Sequence, residues 1–313
     1  MKECLLIVSL LLAHNASATE TGAEFLNIDA DARAVSMGSA YTAMAEGINS
    51  IAYNPAGLVA LNSPEASFSH TLWLMDSRHD FVGFGLPLGG KKANGADNKA
   101  ISGWSGGIGL IRLSNSEIEV RNTDRTPGGS FSSYDQAVSL GVAKRISARA
   151  DWRVGVAAKY IESSIAGEKA SAVAADFGVS RAFRRLPVTL GLAIRNFGTP
   201  MRFISQKDPL PLALAGGCSV EIVPGFKAAA DLSRTIYDGR TTMSFGGEYS
   251  ILSSVSLRSG YMLGRDLQNK LAGIKGNFST GAGLKFWGMS MDYAMQLYGE
   301  LGNTQKLTVC KKF

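Results

Sequence analysis

The sequence predicts an all-β fold, a transmembrane antiparallel β-barrel of about 14 strands. Three observations lead to this fold class. From about residue 66 onward, segments of roughly ten residues alternate apolar side chains with small or polar ones. The connections between these segments alternate between long and short. The chain ends in KLTVCKKF, residues 306–313, which is an alternating strand that runs to the last residue.

The first residues indicate that the chain is exported. Lys2 precedes the apolar run CLLIVSLLLA, and the ASA at residues 16–18 fits the small-residue pattern of signal-peptide cleavage. We therefore expect residues 1–18 to be a signal peptide and the mature protein to start near Thr19. No later segment offers about 18 consecutive apolar residues, so a membrane-spanning form of this chain has to be a closed barrel.

The composition is compatible with this fold. Glycine makes up 36 of 313 residues, well above the usual share of about 7%. Charged residues make up only 19% of the chain, and the net charge is +6. No stripe of lysines and arginines with interleaved aromatics is present, so nucleic acid is not an expected partner.

The alternation predicts fourteen strands, an even number as in bacterial outer-membrane barrels. They cover residues 66–76, 78–88, 101–113, 133–145, 151–163, 170–182, 186–196, 210–222, 225–234, 241–250, 253–263, 278–286, 288–298 and 305–313.

Each predicted strand presents two unlike faces. In VTLGLAIRN, residues 188–196, the Val, Leu, Leu and Ile share one face, and the Thr, Gly, Ala and Arg share the other. The polar faces carry single charges in mid-strand, which we expect to face the lumen. These residues are Arg153, Lys159, Asp176, Arg195, Asp231, Glu248, Arg258, Lys285 and Asp292. A soluble β-sandwich shows the same alternation, so the faces alone do not decide the fold.

The lengths of the connections favour the membrane barrel. From the third strand on, long connections such as 114–132 and 164–169 alternate with short ones such as 183–185 and 223–224. Outer-membrane barrels show this asymmetry, with long loops outside and tight turns in the periplasm. The segment 89–100 does not fit the pattern, because it is long on the side of the short turns.

The last strand predicts closure of the barrel. An open sheet leaves an edge of unpaired backbone groups, so we expect this strand to pair with the first one. Leu307, Val309 and Phe313 share one face, which we expect to lie outward as a C-terminal assembly signal. Phe313 then falls in the aromatic girdle at the periplasmic interface.

The segment before the barrel, residues 22–58, does not alternate. Within it, Ala32–Glu46 is predicted to form a short helix of small side chains, and Asn54–Gly57 is predicted to form a turn. The pieces GAEFLNI, ARAVSMGSAYTAMAEG and AYNPAGL resemble the N-terminal signature of the PorV/PorQ family, which is similar to the FadL long-chain fatty-acid transporters. The resemblance covers roughly residues 21–60 and extends to the rest by architecture alone.

The resemblance implies that the N-terminal segment folds inside a 14-stranded outer-membrane barrel as a hatch. We expect the hatch to span residues 19–62 and the barrel to span residues 63–313. Four residues form the expected hatch motif, of which the first three match the NPA turn of the family: Asn54, Pro55, Ala56 and Gly57. Four charged hatch residues can pair with inward charges of the wall: Asp29, Asp31, Arg33 and Glu46. Lys311 departs from the apolar residue that is common in the closing strand of the family.

The sequence does not predict an enzyme. GWSGG, residues 103–107, matches the G-x-S-x-G nucleophile elbow around Ser105, but that elbow needs a strand–turn–helix and a later histidine, and no histidine follows. After signal removal only His70 and His79 remain, with no metal-type spacing to a cysteine. We expect no catalytic residues, no metal and no cofactor.

The FadL similarity implies passage of hydrophobic, fatty-acid-like small molecules across the outer membrane of a Gram-negative-type bacterium. The PorV resemblance implies an alternative, a component of type IX secretion that binds exported proteins. A structural surface barrel is a third alternative. The expected partners are outer-membrane lipid, the barrel-assembly machinery, and either a hydrophobic ligand or secretion-system proteins.

Overall fold

A computed structural model describes residues 21–88, 103–115, 118–124, 126–147, 150–183, 185–264 and 277–313. The predicted signal peptide and the long turn at 89–100 lie outside the described residues.

The described residues form a closed barrel of fourteen antiparallel strands, which confirms the predicted fold class. We number the barrel strands in chain order: β1 Glu65–Leu72, β2 Arg78–Pro87, β3 Trp104–Ser114, β4 Ser133–Ser147, β5 Trp152–Ile165, β6 Glu168–Ala182, β7 Val188–Gly198, β8 Ala213–Val223, β9 Phe226–Thr235, β10 Thr241–Leu252, β11 Val255–Leu263, β12 Asn277–Phe286, β13 Met289–Leu297 and β14 Asn303–Lys312. Each strand pairs with its neighbours in the chain, and β14 pairs with β1 to close the ring.

The two ends of the barrel differ. At the long-loop end, two small hairpins extend from the connections: Ile118–Arg121 with Pro127–Phe131, and Met201–Phe203 with Gln206–Asp208. The short-turn end carries tight connections such as 224–225 and 253–254. The predicted long connection at 164–169 is wrong, because Ala166 and Gly167 form a two-residue turn with φ of 51° and 90°. Positive φ at both positions is the geometry of a tight hairpin turn.

The outer face of the barrel is apolar and exposed. Tyr160, Leu192 and Phe245 point outward and are 50%, 45% and 48% exposed, whereas Ala157 and Ala193 on the inner face are buried. Exposed aromatic side chains lie at the short-turn end: Trp104, Trp152, Tyr249, Phe286, Trp287 and Phe313. An apolar belt bordered by aromatics is the surface that transmembrane barrels present to lipid.

The closing seam joins the first and last strands. Phe68 lies opposite Val309, and the Phe313 backbone N–H donates to the Pro64 carbonyl at an N···O distance of 2.9 Å. The pairing therefore extends to the last residue of the chain. Leu307 and Phe313 are exposed, and Val309 is half-buried. The role of these three side chains as an assembly signal stays a prediction.

The hatch is built from short helices. These are the 3-10 helices Glu24–Asn27, Ile48–Ala52 and Pro55–Ala60, and the α-helix α1, Ala32–Ser36. The predicted helix over Ala32–Glu46 is therefore too long. It ends at Ser36 because Gly38 and Ser39 adopt positive φ of 63° and 66°. Gly38 also packs against the backbone of β11, where an added Cβ would lie 2.6 Å from the Tyr261 nitrogen. None of the described helices has the length and apolar character needed to cross a membrane.

The described part of the hatch lies inside the barrel. Helix α1 contacts β11 to β14, the helix Ile48–Ala52 contacts β1 to β3, and the helix Pro55–Ala60 contacts β3 to β6. Asp231 of β9 accepts hydrogen bonds from the hatch backbone as well. One segment can touch strands around the whole ring only from within the lumen, and most hatch side chains are accordingly buried.

Candidate functional site

The hatch packs against two unlike parts of the barrel wall. Strands β2 to β5, which we call the apolar wall, share one buried cluster with apolar hatch side chains. The cluster includes Ile48, Ile51 and Leu58 of the hatch and Phe81, Ile111 and Ile161 of the wall. Strands β9 to β13, which we call the charged wall, carry buried carboxylates and a buried guanidinium instead: Asp231, Glu248, Arg258 and Asp292.

Where the hatch approaches the wall most closely, the wall residue is glycine. An added Cβ at Gly191 would lie 2.5 Å from the Thr42 carbonyl oxygen, and one at Gly246 would lie 2.9 Å from the Met37 Cβ. Inward glycines with hatch neighbours occur on strands all round the barrel: Gly83, Gly85, Gly107, Gly109, Gly141, Gly155, Gly178, Gly191, Gly217, Gly246, Gly260 and Gly281. Much of the high glycine content therefore reflects the space that the hatch occupies.

Adjacent glycines on β10 provide a matched test of this contact. Gly246 faces Met37 of the hatch, whereas an added Cβ at Gly247 would meet only the Phe226 ring at 3.5 Å. We expect Gly246→Val to displace the hatch at a cost of about 1–3 kcal/mol, because the inserted methyls overlap the hatch backbone. Gly247→Val should leave the hatch in place. Limited proteolysis of the folded protein checks this, and equal cleavage of the two variants would contradict it.

The charged wall holds the first helix of the hatch through an ion-pair chain. Arg33 donates to Glu248 from Nε and Nη2, both at 2.8 Å. Arg258 donates to the same carboxylate at 2.5 Å and to Asp292 at 2.6 Å. Bidentate guanidinium–carboxylate contacts are the strong form of this interaction. Three of the predicted lumen-facing residues thus meet one another, and Glu248 joins them to the hatch. Asp31 is the second charged hatch residue at helix α1. Its side chain caps the helix by accepting a hydrogen bond from the Arg33 backbone N–H at 3.1 Å.

A second buried ion pair lies on β5 and β6. Lys159 contacts Asp176 at 2.7 Å, with side chains only 4% and 0% exposed. Asn196 of β7 accepts from Lys159 at 2.8 Å and donates its backbone N–H to Asp176 at 2.8 Å. The structure therefore brings together two further predicted luminal residues, which are satisfied by the wall itself.

The remaining predicted luminal side chains are spread out. Arg153 pairs with Asp151 at 2.6 Å near the short-turn end. Arg195 and Asp231 line a cavity on the other side of the hatch. Lys285 has the same phase along β12 as the inward Gly283 but is exposed at the end of the strand, so it does not join the buried set.

The predicted hatch motif forms the first turn of the helix Pro55–Ala60. Asn54 caps this helix by accepting from the Ala56 backbone N–H at 3.2 Å. Its Nδ2 donates to the Thr42 carbonyl at 2.9 Å and to the Val179 carbonyl of β6 at 3.3 Å. Asn54 therefore links two parts of the hatch to the wall. A glycine at position 178 leaves room for this contact, because its added Cβ would lie 2.8 Å from the Pro55 Cδ.

Some contacts of the hatch involve residues that the sequence reasoning did not single out. Lys306 of β14 is 2% exposed, donates to the Asp29 carbonyl and lies 3.4 Å from the His79 Nδ1. The alternation along β14 could have identified Lys306 as a luminal residue, because it shares the inner face with Thr308. The Thr308 hydroxyl accepts from the Ala32 backbone N–H at 2.9 Å.

Two buried tyrosines complete the hatch interior. The Tyr41 and Tyr53 rings meet edge to face with centroids 5.1 Å apart. The Tyr53 hydroxyl accepts from the Asp31 backbone N–H at 3.0 Å, and the Tyr41 hydroxyl donates to the Asp31 carboxylate at 3.3 Å. Burial raises the pKa of both phenols well above the usual range, so both stay neutral.

Two cavities flank hatch residues 42–44. The outer cavity, of about 80 Å³, lies toward the long-loop end and is lined by hydroxyl groups and by Arg195, Asp231 and Arg240. The inner cavity, of about 200 Å³, lies toward the short-turn end and includes Glu46 in its lining. Hatch residues 42–44 lie between the two cavities.

Comparisons with solved structures give the fold a precedent. The chain matches a CymD monoaromatic hydrocarbon channel with a TM-score of 0.63 and 11% identity, over 90% of this chain and 96% of that one. It matches a deltaS2 mutant of the TodX monoaromatic hydrocarbon channel with a TM-score of 0.60 and 14% identity, over 90% and 98% of the two chains. A FadL homologue of Pseudomonas aeruginosa matches with a TM-score of 0.57 and 8% identity, over 95% of this chain and 100% of that one. The fold is FadL-like.

The sequence comparisons identify no family for this chain. No family model and no curated protein match the chain. The PorV/PorQ resemblance of the hatch therefore stays a prediction.

Proposed function

We propose that this protein is an outer-membrane barrel without catalytic activity, through which hydrophobic small molecules pass. The likeness to two proteins named as hydrocarbon channels supports the transport class. The exposed apolar belt supports a position in a membrane.

The apolar wall is the observation that carries the proposal. Along β2 to β5 the contact between hatch and barrel includes an apolar cluster to which Ile51 and Phe81 belong, and buried polar side chains such as Lys159 lie on the same strands. An apolar molecule that moves through this cluster replaces one apolar contact with another and separates no ion pair between hatch and wall. On the charged wall the same molecule would have to separate Arg33 from Glu248. The ion pairs therefore hold the hatch on one side while the other side offers an apolar route.

An uptake assay tests this function. The full-length protein is expressed in a bacterial strain that lacks its own long-chain fatty-acid uptake protein, and entry of labelled oleate and toluene is measured. We expect several-fold faster entry than with the empty vector. Lys285→Met serves as a variant control, because that side chain is exposed at the rim. A correctly folded barrel in the outer membrane that leaves uptake at the vector level would contradict the proposal.

The alternatives are separated by what accompanies the protein on purification. A secretion component is expected to retain exported proteins after mild extraction, whereas a channel for apolar molecules is expected to retain lipid. A structural barrel retains neither in a fixed ratio. Mass spectrometry of the natively purified protein distinguishes these outcomes.

A further inference from the structure

Two arginines lie close together on the outer face of the barrel, at the long-loop end. Arg78 of β2 and Arg112 of β3 are both exposed. Because Arg78 is opposite Ser114 and Arg112 is opposite Asp80, the two arginines are diagonal neighbours on one face of the sheet. Such neighbours are about 7–8 Å apart, which is within reach of long side chains. Both guanidinium groups can therefore contact one ligand.

The two arginines carry positive charge that the protein does not neutralise locally. Neither guanidinium forms an ion pair with a carboxylate in the described part of the chain. Asp80, the carboxylate opposite Arg112, pairs instead with His70 of β1 at an Nδ1···Oδ1 distance of 2.6 Å. This contact turns Asp80 toward β1, on the side of β2 that is away from Arg112. Two like charges on neighbouring strands repel each other unless an anion lies between them.

The Arg112 side chain is held on the outer face by an aromatic ring. Its Cζ lies 4.8 Å from the centroid of the Tyr134 ring on β4. The Tyr134 hydroxyl donates in turn to Glu162 of β5 at 2.9 Å. A guanidinium that packs on a fixed ring loses less freedom when it binds a ligand.

The strands place both arginines near the top of the apolar belt. Arg112 is eight residues beyond Trp104, the exposed aromatic at the short-turn end of β3. A strand tilted by about 40° climbs about 2.5 Å per residue along the membrane normal, so Arg112 lies about 20 Å above that aromatic. Arg78 lies slightly higher, since it is opposite Ser114. The belt of such barrels is about 25 Å tall, so both side chains can reach the headgroups of the outer leaflet.

The surface directly below the arginines is apolar. On the same outward face Val82 lies opposite Leu110, and Phe84 lies opposite Ile108. All four side chains are exposed. Acyl chains suit this surface, whereas the paired arginines suit an anion. A lipid that carries phosphate groups combines the two properties in one molecule.

We propose that Arg78 and Arg112 bind the phosphorylated headgroup of an outer-leaflet lipid, whose acyl chains lie along β2 and β3. Guanidinium groups donate to phosphate oxygens in bidentate fashion, which makes these contacts strong and specific. A single phosphate between the two arginines removes their mutual repulsion. The site is on the outside of the wall, so its failure would leave the proposed passage of hydrophobic molecules untouched.

The remainder of the outer face provides a matched control. At the long-loop ends of β10 and β11 the outward residues Met243 and Leu263 lie opposite each other and are apolar. Arg234 of β9 has the outward phase at the same end, but its neighbours across the strands are Leu214 and Thr241. A lone arginine at a membrane interface needs no bound lipid, because its long stem lets the charge reach the headgroup level. Arg234 therefore reports on the general attraction between arginine and headgroups.

Native mass spectrometry of the full-length protein in detergent tests the site, with lipid A that carries two phosphates as the probe. We expect the protein to retain this lipid, and to retain lipid A without phosphates about tenfold less. The combined variant Arg78→Gln and Arg112→Gln should retain the phosphorylated lipid about tenfold less than the unmodified protein, because charged hydrogen bonds are lost. Arg234→Gln should retain it unchanged. Heat-dependent migration in SDS gels shows that each variant is folded.

Each outcome decides the matter. Loss of the lipid in the combined variant with retention in Arg234→Gln supports the proposal. Equal retention by the combined variant and the unmodified protein overturns it, and an equal loss in Arg234→Gln reduces it to general interfacial attraction. Displacement of the lipid by millimolar inorganic phosphate overturns the assignment to a lipid. A changed oligomeric state of the combined variant with unchanged lipid overturns it in favour of a contact between proteins.

Discussion

Deletion of residues 22–57 is expected to raise the ion conductance of the protein in planar bilayers by about tenfold or more, because an unplugged barrel with a polar inner wall is a water-filled channel. In the full-length protein the hatch touches strands all round the ring. Its removal exposes an inner wall of glycines and charged side chains such as Asp176 and Arg258. The intact protein should therefore conduct poorly and the deletion variant steadily.

The deletion leaves the pairing of the strands unchanged, since every barrel strand bonds to two other strands. Heat-dependent migration in SDS gels shows whether the variant has folded, because a closed sheet has no edge from which to unzip. The control is deletion of residues 118–131, an exposed hairpin at the long-loop end. This deletion also shortens the chain, but it leaves the hatch in the lumen. High conductance of the full-length protein would show an open pore. Low conductance of a folded deletion variant would show that the hatch is not the barrier.

Strand positions could be predicted because a barrel imposes one local rule on every strand. Side chains alternate between lipid and lumen, so the strand predicted at 186–196 appears as Val188–Gly198 with its charge on the inner face. The position of a residue in the alternation predicts whether its side chain points inward, but not how deeply that side chain is buried. Arg258 and Lys285 both have the inward phase, yet Arg258 is 4% exposed and Lys285 is exposed at the rim. The distance of a residue from the strand end decides the difference.

The hatch was harder to predict because its shape depends on distant residues. Helix α1 ends at Ser36, and Gly38 beyond it adopts a positive φ, which is a local stop signal, but the packing of Gly38 against β11 depends on residues more than 200 positions away. The pairing of Arg33 with Glu248 joins residues 215 positions apart. The sequence nevertheless contains an indication of where the hatch lies, because inward glycines such as Gly155 occur where the hatch backbone is close to the wall. The alternation of residues 188–196 places Gly191 on the inner face, but only the structure shows that the hatch lies against it.

Replacement of Arg258 by methionine is expected to lower the free energy of unfolding by about 3–5 kcal/mol, because removal of one partner leaves buried charge uncompensated. The Arg258 side chain is 3% exposed and contacts Glu248 and Asp292 at 2.5 and 2.6 Å. Glu248 keeps its contact with Arg33 at 2.8 Å, but Asp292 loses the partner that the described structure gives it. Urea unfolding in lipid vesicles measures the change.

Two further variants separate the electrostatic cause from a general loss of packing. Lys285→Met makes the same substitution of a cation on the neighbouring strand β12, and because that side chain is exposed we expect a change within about 0.5 kcal/mol. Combining Arg258→Met with Glu248→Gln and Asp292→Asn should recover part of the loss, since the buried charges then disappear together. If packing of the Arg258 stem were the cause, the combined variant would be no more stable than Arg258→Met alone. Recovery in the combined variant, with Lys285→Met unchanged, would show that the uncompensated charge of Asp292 and Glu248, and not the lost packing of the Arg258 stem, causes the loss of stability.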